Sequence, residues 1–178
     1  KTPVIEATGT GGGLKLFCAG VGVSHPDIAN ASRRIKASEV RNCAKNGVLE
    51  IIEVKIGFDG IILANSKAAP MAQLTLRQVW LALANQVPAA GQMIDNPSQS
   101  WADIDANLPA VRIEVLGPPP TSGTRDAFVE LAMEGGCKTF AEIKALKKSD
   151  KAAYKAACHA IREDGAYVEA GENDNLIV

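Results

Sequence analysis

The run Thr121-Ser122-Gly123-Thr124-Arg125-Asp126 constrains this chain more than any other feature. It joins an apolar, strand-like segment, Val111 to Leu116, to a helix-compatible one, Ala127 to Met133. A strand that passes through a small, hydroxyl-rich turn into a helix leaves backbone N–H groups unpaired at the helix start. Those donors, the helix dipole, the Ser122 and Thr124 hydroxyls and the Arg125 guanidinium together make an anion-binding site. The same grammar occurs earlier, where Val4 to Ala7 runs through Thr8-Gly9-Thr10-Gly11-Gly12-Gly13 into Leu14 to Phe17. Two such turns in one short chain point to one anion gripped from two sides.

Composition narrows the classes. The 178 residues, 47% of them hydrophobic, suffice for one packed domain or two small ones. A formal charge of −1, with no Lys/Arg run interleaved with aromatics, argues against nucleic acid as a partner. No apolar stretch approaches the roughly 20 residues of a bilayer span. The N-terminus lacks a basic region followed by an apolar core, so no signal peptide is read there; a mature secreted protein would have lost one.

The four cysteines, Cys18, Cys43, Cys137 and Cys158, contain no C-x-x-C pair, and His25 and His159 lie far apart, so no metal site and no cofactor is expected. The cysteines fall as two local pairs, each linking neighbouring predicted helices. That arrangement fits two structural disulfides in an oxidising compartment; four buried thiols in a cytosolic protein are the alternative.

The rest reads as strands alternating with helices. Strands are expected at Asp27 to Ser32, Val48 to Ile56 and Gly60 to Ala64, with a break at Gly57-Phe58-Asp59. Helices are expected from Ala37 to Asn46, ended by Gly47, and from Thr75, as N-cap, to Leu83. Pro88, Gly91, Asn96, Pro97 and Ser98 mark residues 85–100 as a loop. Thr139-Phe140-Ala141-Glu142 fits a capping box, and Lys151 to Arg162 an amphipathic helix. Such alternation predicts an α/β fold with a mainly parallel sheet, whose ligands bind outside the carboxyl ends of the strands.

These motifs, taken in order, resemble a known family. Gly9-Thr10-Gly11-Gly12-Gly13, Asp27-Ile28-Ala29-Asn30-Ala31-Ser32-Arg33, Asp59-Gly60-Ile61-Ile62-Leu63-Ala64-Asn65 and Ser122-Gly123-Thr124-Arg125 resemble the periplasmic phosphate-binding proteins of phosphate ABC transporters. Ala170-Gly171-Glu172-Asn173-Asp174-Asn175 is similar to that family's polar entry to a late helix. The resemblance implies a two-lobed α/β binding protein (type II-like), a periplasmic location, inorganic phosphate as ligand and a membrane permease as partner. It places a partial first lobe in 1–68 and most of the second in 69–178. A strand and helix before Lys1 and further elements after Val178 are expected to lie outside the chain, leaving the first lobe incomplete. The extracytoplasmic home of the family favours Cys18–Cys43 and Cys137–Cys158 disulfides.

The resemblance also assigns roles. Thr10 stands at a hydroxyl donor, with Gly11 at the following helix start. Ser122, Gly123 and Thr124 match the second phosphate loop, and Arg125 adds a charge-assisted bond. Ser32 stands where well-known members carry an acidic residue, and with Arg33 it looks like a serine–arginine variant of that turn. A protonated phosphate needs an acceptor, for which Asp59 is the candidate. An enzyme is the rival class, needing a nucleophile with its base, or metal ligands. The Gly9–Gly13 run is neither G-x-G-x-x-G nor a Walker loop. A binding protein without catalysis is the leading reading; a phosphoryl-transfer or phosphate-ester enzyme and a binding-incompetent fragment are the alternatives.

Overall fold

The computed structural model describes residues 8–69 and 73–171. The expected strand Val4 to Ala7 and the Glu172 to Asn175 segment lie outside them. The chain forms two compact units. The first gathers the described parts of 1–61, 118–127 and 170–178; the second gathers those of 62–117 and 128–169. The division expected at residue 68 sets 118–127 with the residues around it, whereas here that segment packs within the first unit.

In the first unit, α1 (Gly9–Phe17) and α2 (Ala37–Lys45) carry the structure. Glu39 caps α2, its Oε2 accepting the Lys36 N–H at 2.7 Å. The helix stops at Asn46, followed by Gly47 at φ 83°, as its sequence predicts. Cys18 and Cys43 are bonded and buried, and Val48, Phe17, Ile35 and Ile51 pack around the bridge. Asn46 Nδ2 donates to the Cys18 carbonyl at 2.7 Å and fixes the end of α2 to the end of α1.

Three expected strands, at 27–32, 48–56 and 60–64, are absent. Residues 27–32 are irregular, and so is the apolar run 48–64. Ile56 and Phe58 are over nine-tenths exposed. A strand is completed by its neighbour's ladder, and no described residue pairs with this run.

The second unit holds the larger core. Thr75 caps α3 (Leu76–Leu83): its hydroxyl accepts from Gln78 N at 3.2 Å, and Gln78 Oε1 takes the Thr75 N–H at 2.8 Å. Trp80 is fully buried at the centre, its indole N–H donating to the Ala157 carbonyl at 3.3 Å. Residues 85–100, expected to be a loop, contain a hairpin of β1 (Gln86–Ala89) and β2 (Gln92–Asp95). The turn residues Ala90 and Gly91 have φ of 49° and 83°, as a two-residue hairpin turn demands. Pro88 faces Met93 one pair in from the turn, where the alternating ladder needs no N–H from it.

A short helix, α4 (Trp101–Ile104), follows the hairpin. The strand expected over 111–116 is shorter and later: β3 (Val115–Gly117) pairs in parallel with β4 (Tyr167–Glu169). Short ladders thus replace the single mainly parallel sheet. From Gly123 the chain is helical to Cys137, through α5 (Gly123–Phe128), a π-helical turn (Val129–Met133) and α6 (Glu134–Cys137).

The expected capping box at Thr139 is not made. Its hydroxyl donates back to the Gly136 carbonyl at 2.7 Å, and α7 (Ala141–Ser149) begins beyond Phe140. Asp150 caps α8 (Lys151–His159), accepting from Ala152 N and Ala153 N. Cys137 and Cys158 are bonded and fully buried, joining α6 to α8. The helix expected to run to Arg162 ends at His159, and Arg162 lies buried beyond it. Arg162 donates to the carbonyls of Ala82, Ser98 and Asn96 and pairs with Asp164. Helices with short parallel and antiparallel ladders make this an α/β chain. Among the described residues no helix is long and apolar enough to cross a membrane.

Candidate anion site

Three loops far apart in sequence meet within the first unit. Thr10, in the first turn of α1, is buried, and its Oγ1 accepts the Ser32 N–H at 3.0 Å. Gly11 N donates to the Thr121 carbonyl at 3.0 Å. Gly123 sits against both partners. A Cβ added there would overlap Thr10 Oγ1 and lie 2.7 Å from Thr10 Cβ and 3.1 Å from Ser32 Cβ. Only a residue without a side chain allows this approach.

Ser122 is the cap of α5. It is buried at 1% exposure, its Oγ accepts the Thr124 N–H at 3.1 Å, and its carbonyl takes Asp126 N at 3.2 Å. A hydroxyl that accepts one bond still has its own proton to give. Thr10 and Ser122 therefore each carry an O–H donor, fixed from behind by a backbone N–H. Gly11 and Thr124, expected to offer N–H groups to an anion, instead give theirs to Thr121 and Ser122.

The charges are arranged around this junction. Arg33 has its Nε 2.6 Å from Asp126 Oδ2, and its two terminal nitrogens grip Glu39 at 2.9 and 2.8 Å. Lys36 Nζ approaches the same Asp126 oxygen at 2.9 Å. The hydrogen bond from Arg33 holds Glu39 below the usual carboxylate range, aided by the Lys36 N–H and opposed by burial. Burial acts to raise Asp126, but the bonds from Lys36 and Arg33 outweigh it and keep it low. Arg33 is raised, chiefly by its bond to Glu39. Arg125 donates to the Pro118 carbonyl at 3.1 Å, which holds its side chain along the incoming loop.

Asp59 stands apart, exposed, with its Oδ1 accepting the Gly60 N–H at 2.8 Å. Sequence reasoning passed over Asp126. The signal was present, since an acid four residues after the Ser122 cap lies one helical turn along the same face.

A carboxylate held low in the folded state lends stability that is complete above its unfolded value, about 4, and is lost as pH falls below it. Glu39→Gln is therefore expected to cost about 1–2 kcal/mol at pH 6, discounted for partial exposure. The gap from the parent should narrow below about pH 4 as the parent's Glu39 itself takes up a proton. Thermal melts from pH 7 to 2.5 check this, and a gap that persists at the acid end counts against the ion pair.

Known proteins can now be set beside this geometry. A profile described as a PBP superfamily domain matches residues 1–177. The chain belongs to the PBP superfamily. Two cyanobacterial relatives named Protein SphX align with it. That of Synechococcus elongatus is 32% identical over 71% of this chain and 34% of its own length. That of Synechocystis is 35% identical over the same shares. The phosphate-binding protein PstS of Staphylococcus saprophyticus is 29% identical over 80% of this chain and 39% of its own. The chain spans a little over a third of the length of these relatives. No solved structure matches it. Membership agrees with the resemblance read from the Gly9–Gly13 and Ser122–Arg125 turns.

Proposed function

We propose that this chain is part of the extracytoplasmic phosphate-binding component of a phosphate ABC transporter, with inorganic phosphate as ligand and a membrane permease as partner. The observation that carries the reading is the meeting of Thr10, Ser32, Ser122 and Gly123 in one unit. Two buried hydroxyls with protons to give, at the first turns of two helical runs, suit an oxyanion better than any cation or apolar ligand. The name of the staphylococcal relative supports phosphate as that oxyanion. The two disulfides suit a periplasmic location.

Binding without turnover is the favoured class. Hydrolysis of an ester requires a nucleophile beside a base, or bound metal. His159, on α8, has its Nε2 on Glu134 at 3.0 Å, and both residues belong to the second unit. Asp59 is the proposed acceptor for a protonated phosphate.

The test is a phosphate titration of the full-length protein by calorimetry. Ser122→Ala and Arg125→Leu should each weaken binding by about 1–3 kcal/mol. A generic phosphate ester should not be hydrolysed. Absence of phosphate binding by the parent at low salt, or steady ester turnover, overturns the proposal.

A further inference from the structure

We propose that Asp126 is the positioning residue of the anion site, holding the Ser32–Lys36 turn onto the first turn of α5 through Arg33 and Lys36; the inference rests on the phosphate reading above. The carboxylate is the hub of a continuous set of contacts. Its own N–H bonds to the Ser122 carbonyl, one helical turn back. Its Oδ2 takes Arg33 Nε at 2.6 Å and Lys36 Nζ at 2.9 Å. Arg33 adjoins Ser32, whose N–H in turn fixes Thr10 Oγ1 at 3.0 Å. One residue thus holds the Ser122 carbonyl through its N–H and, through its carboxylate, the turn whose Ser32 N–H fixes the Thr10 hydroxyl.

The tie is stiff for a specific reason. Arg33 is gripped on its other edge by both oxygens of Glu39 and on the Arg34 carbonyl at 3.0 Å, so its plane is set independently of Asp126. A planar fork fixed on one side presents its Nε in a fixed direction on the other. Asp126 is the only acid of the cluster on α5, and the other three members lie on the 33–39 segment. Its loss disconnects the two segments while leaving the Arg33–Glu39 pair whole.

The alternative role is that of a mere negative charge near an anion site, and it predicts the opposite sign. Arg33 and Lys36 are balanced by Asp126 and Glu39, so the cluster adds no net charge to attract a ligand. Removing a bystander charge would unmask a cation and tighten phosphate binding. Removing a positioning residue releases the turn and weakens it.

The experiment uses the full-length protein, with inorganic phosphate as probe and amide hydrogen exchange in its absence. Asp126→Asn is expected to weaken phosphate binding about tenfold and to speed exchange at 32–36 and 121–126. Arg33→Gln should weaken it similarly, and the double variant little further, since both act through one contact. Arg34→Gln, whose guanidinium pairs instead with Glu53, should leave affinity unchanged. Tighter or unchanged binding by Asp126→Asn, or additive losses in the double variant, overturns the proposal. A parent that binds no phosphate overturns the phosphate reading. The ligand-free exchange data still decide the tie itself, and unchanged exchange in Asp126→Asn overturns it.

Discussion

Gly136→Ala is expected to destabilise the second unit by about 3 kcal/mol, the upper end of what overpacking costs. Gly136, in α6, touches α3 at backbone distance. A Cβ there would overlap the Leu76 carbonyl oxygen and lie 2.6 Å from Trp80 Cβ. The carbonyl belongs to the first turn of α3, and Trp80 is fully buried, so neither neighbour has room to yield. Gly135 supplies the control. Its added Cβ would meet Leu76 Cδ1 at 2.8 Å, the mobile tip of a half-exposed side chain. Alanine is also the better helix former by roughly 0.5–1 kcal/mol, so Gly135→Ala should be neutral or slightly stabilising. Urea midpoints with unchanged slopes for the two variants measure the contrast. Equal midpoints would mean that α3 and α6 are not packed this closely.

The second large effect falls on the ligand. Gly123→Ala should lower phosphate affinity of the full-length protein by about 100-fold, which is about 2.7 kcal/mol. The methyl group would take the space of Thr10 Oγ1 and press on Ser32 Cβ, driving the two donor loops apart. Preorganised donors are worth little once displaced by an ångström. Calorimetric titration, with circular dichroism to confirm folding, reads the outcome. Parent-like affinity in a folded Gly123→Ala protein would place the anion elsewhere.

Much of this was legible in the sequence, for identifiable reasons. The Thr75 cap, the Gly47 stop and the pairing of the four cysteines are local signals, and each is present. The Thr10, Ser32 and Ser122 turns could be named singly, but their meeting depends on tertiary structure that periodicity does not encode. The hairpin at 86–95 was hidden by Pro88 and Gly91, residues that punctuate loops yet fit one specific ladder position and one specific turn. Residues 48–64 have strand composition without strand structure, because composition shows preference while a ladder requires a partner. Arg162 reads as the last residue of an amphipathic helix, and its carbonyl acceptors at Ala82, Ser98 and Asn96, which explain its burial, are tertiary.

The discontinuity of the first unit bears on how the molecule comes into being. Arg33 and Asp126 are 93 residues apart, and most of the second unit's chain lies between them. On a ribosome, the amino-terminal partner of this contact is made several seconds before its mate, at roughly 5–20 residues per second. Closing so long a loop costs entropy that only the finished contact returns. The Thr10–Ser32–Gly123 junction is therefore a late product of folding, and Thr10 and Ser32 must wait for a segment still to be synthesised.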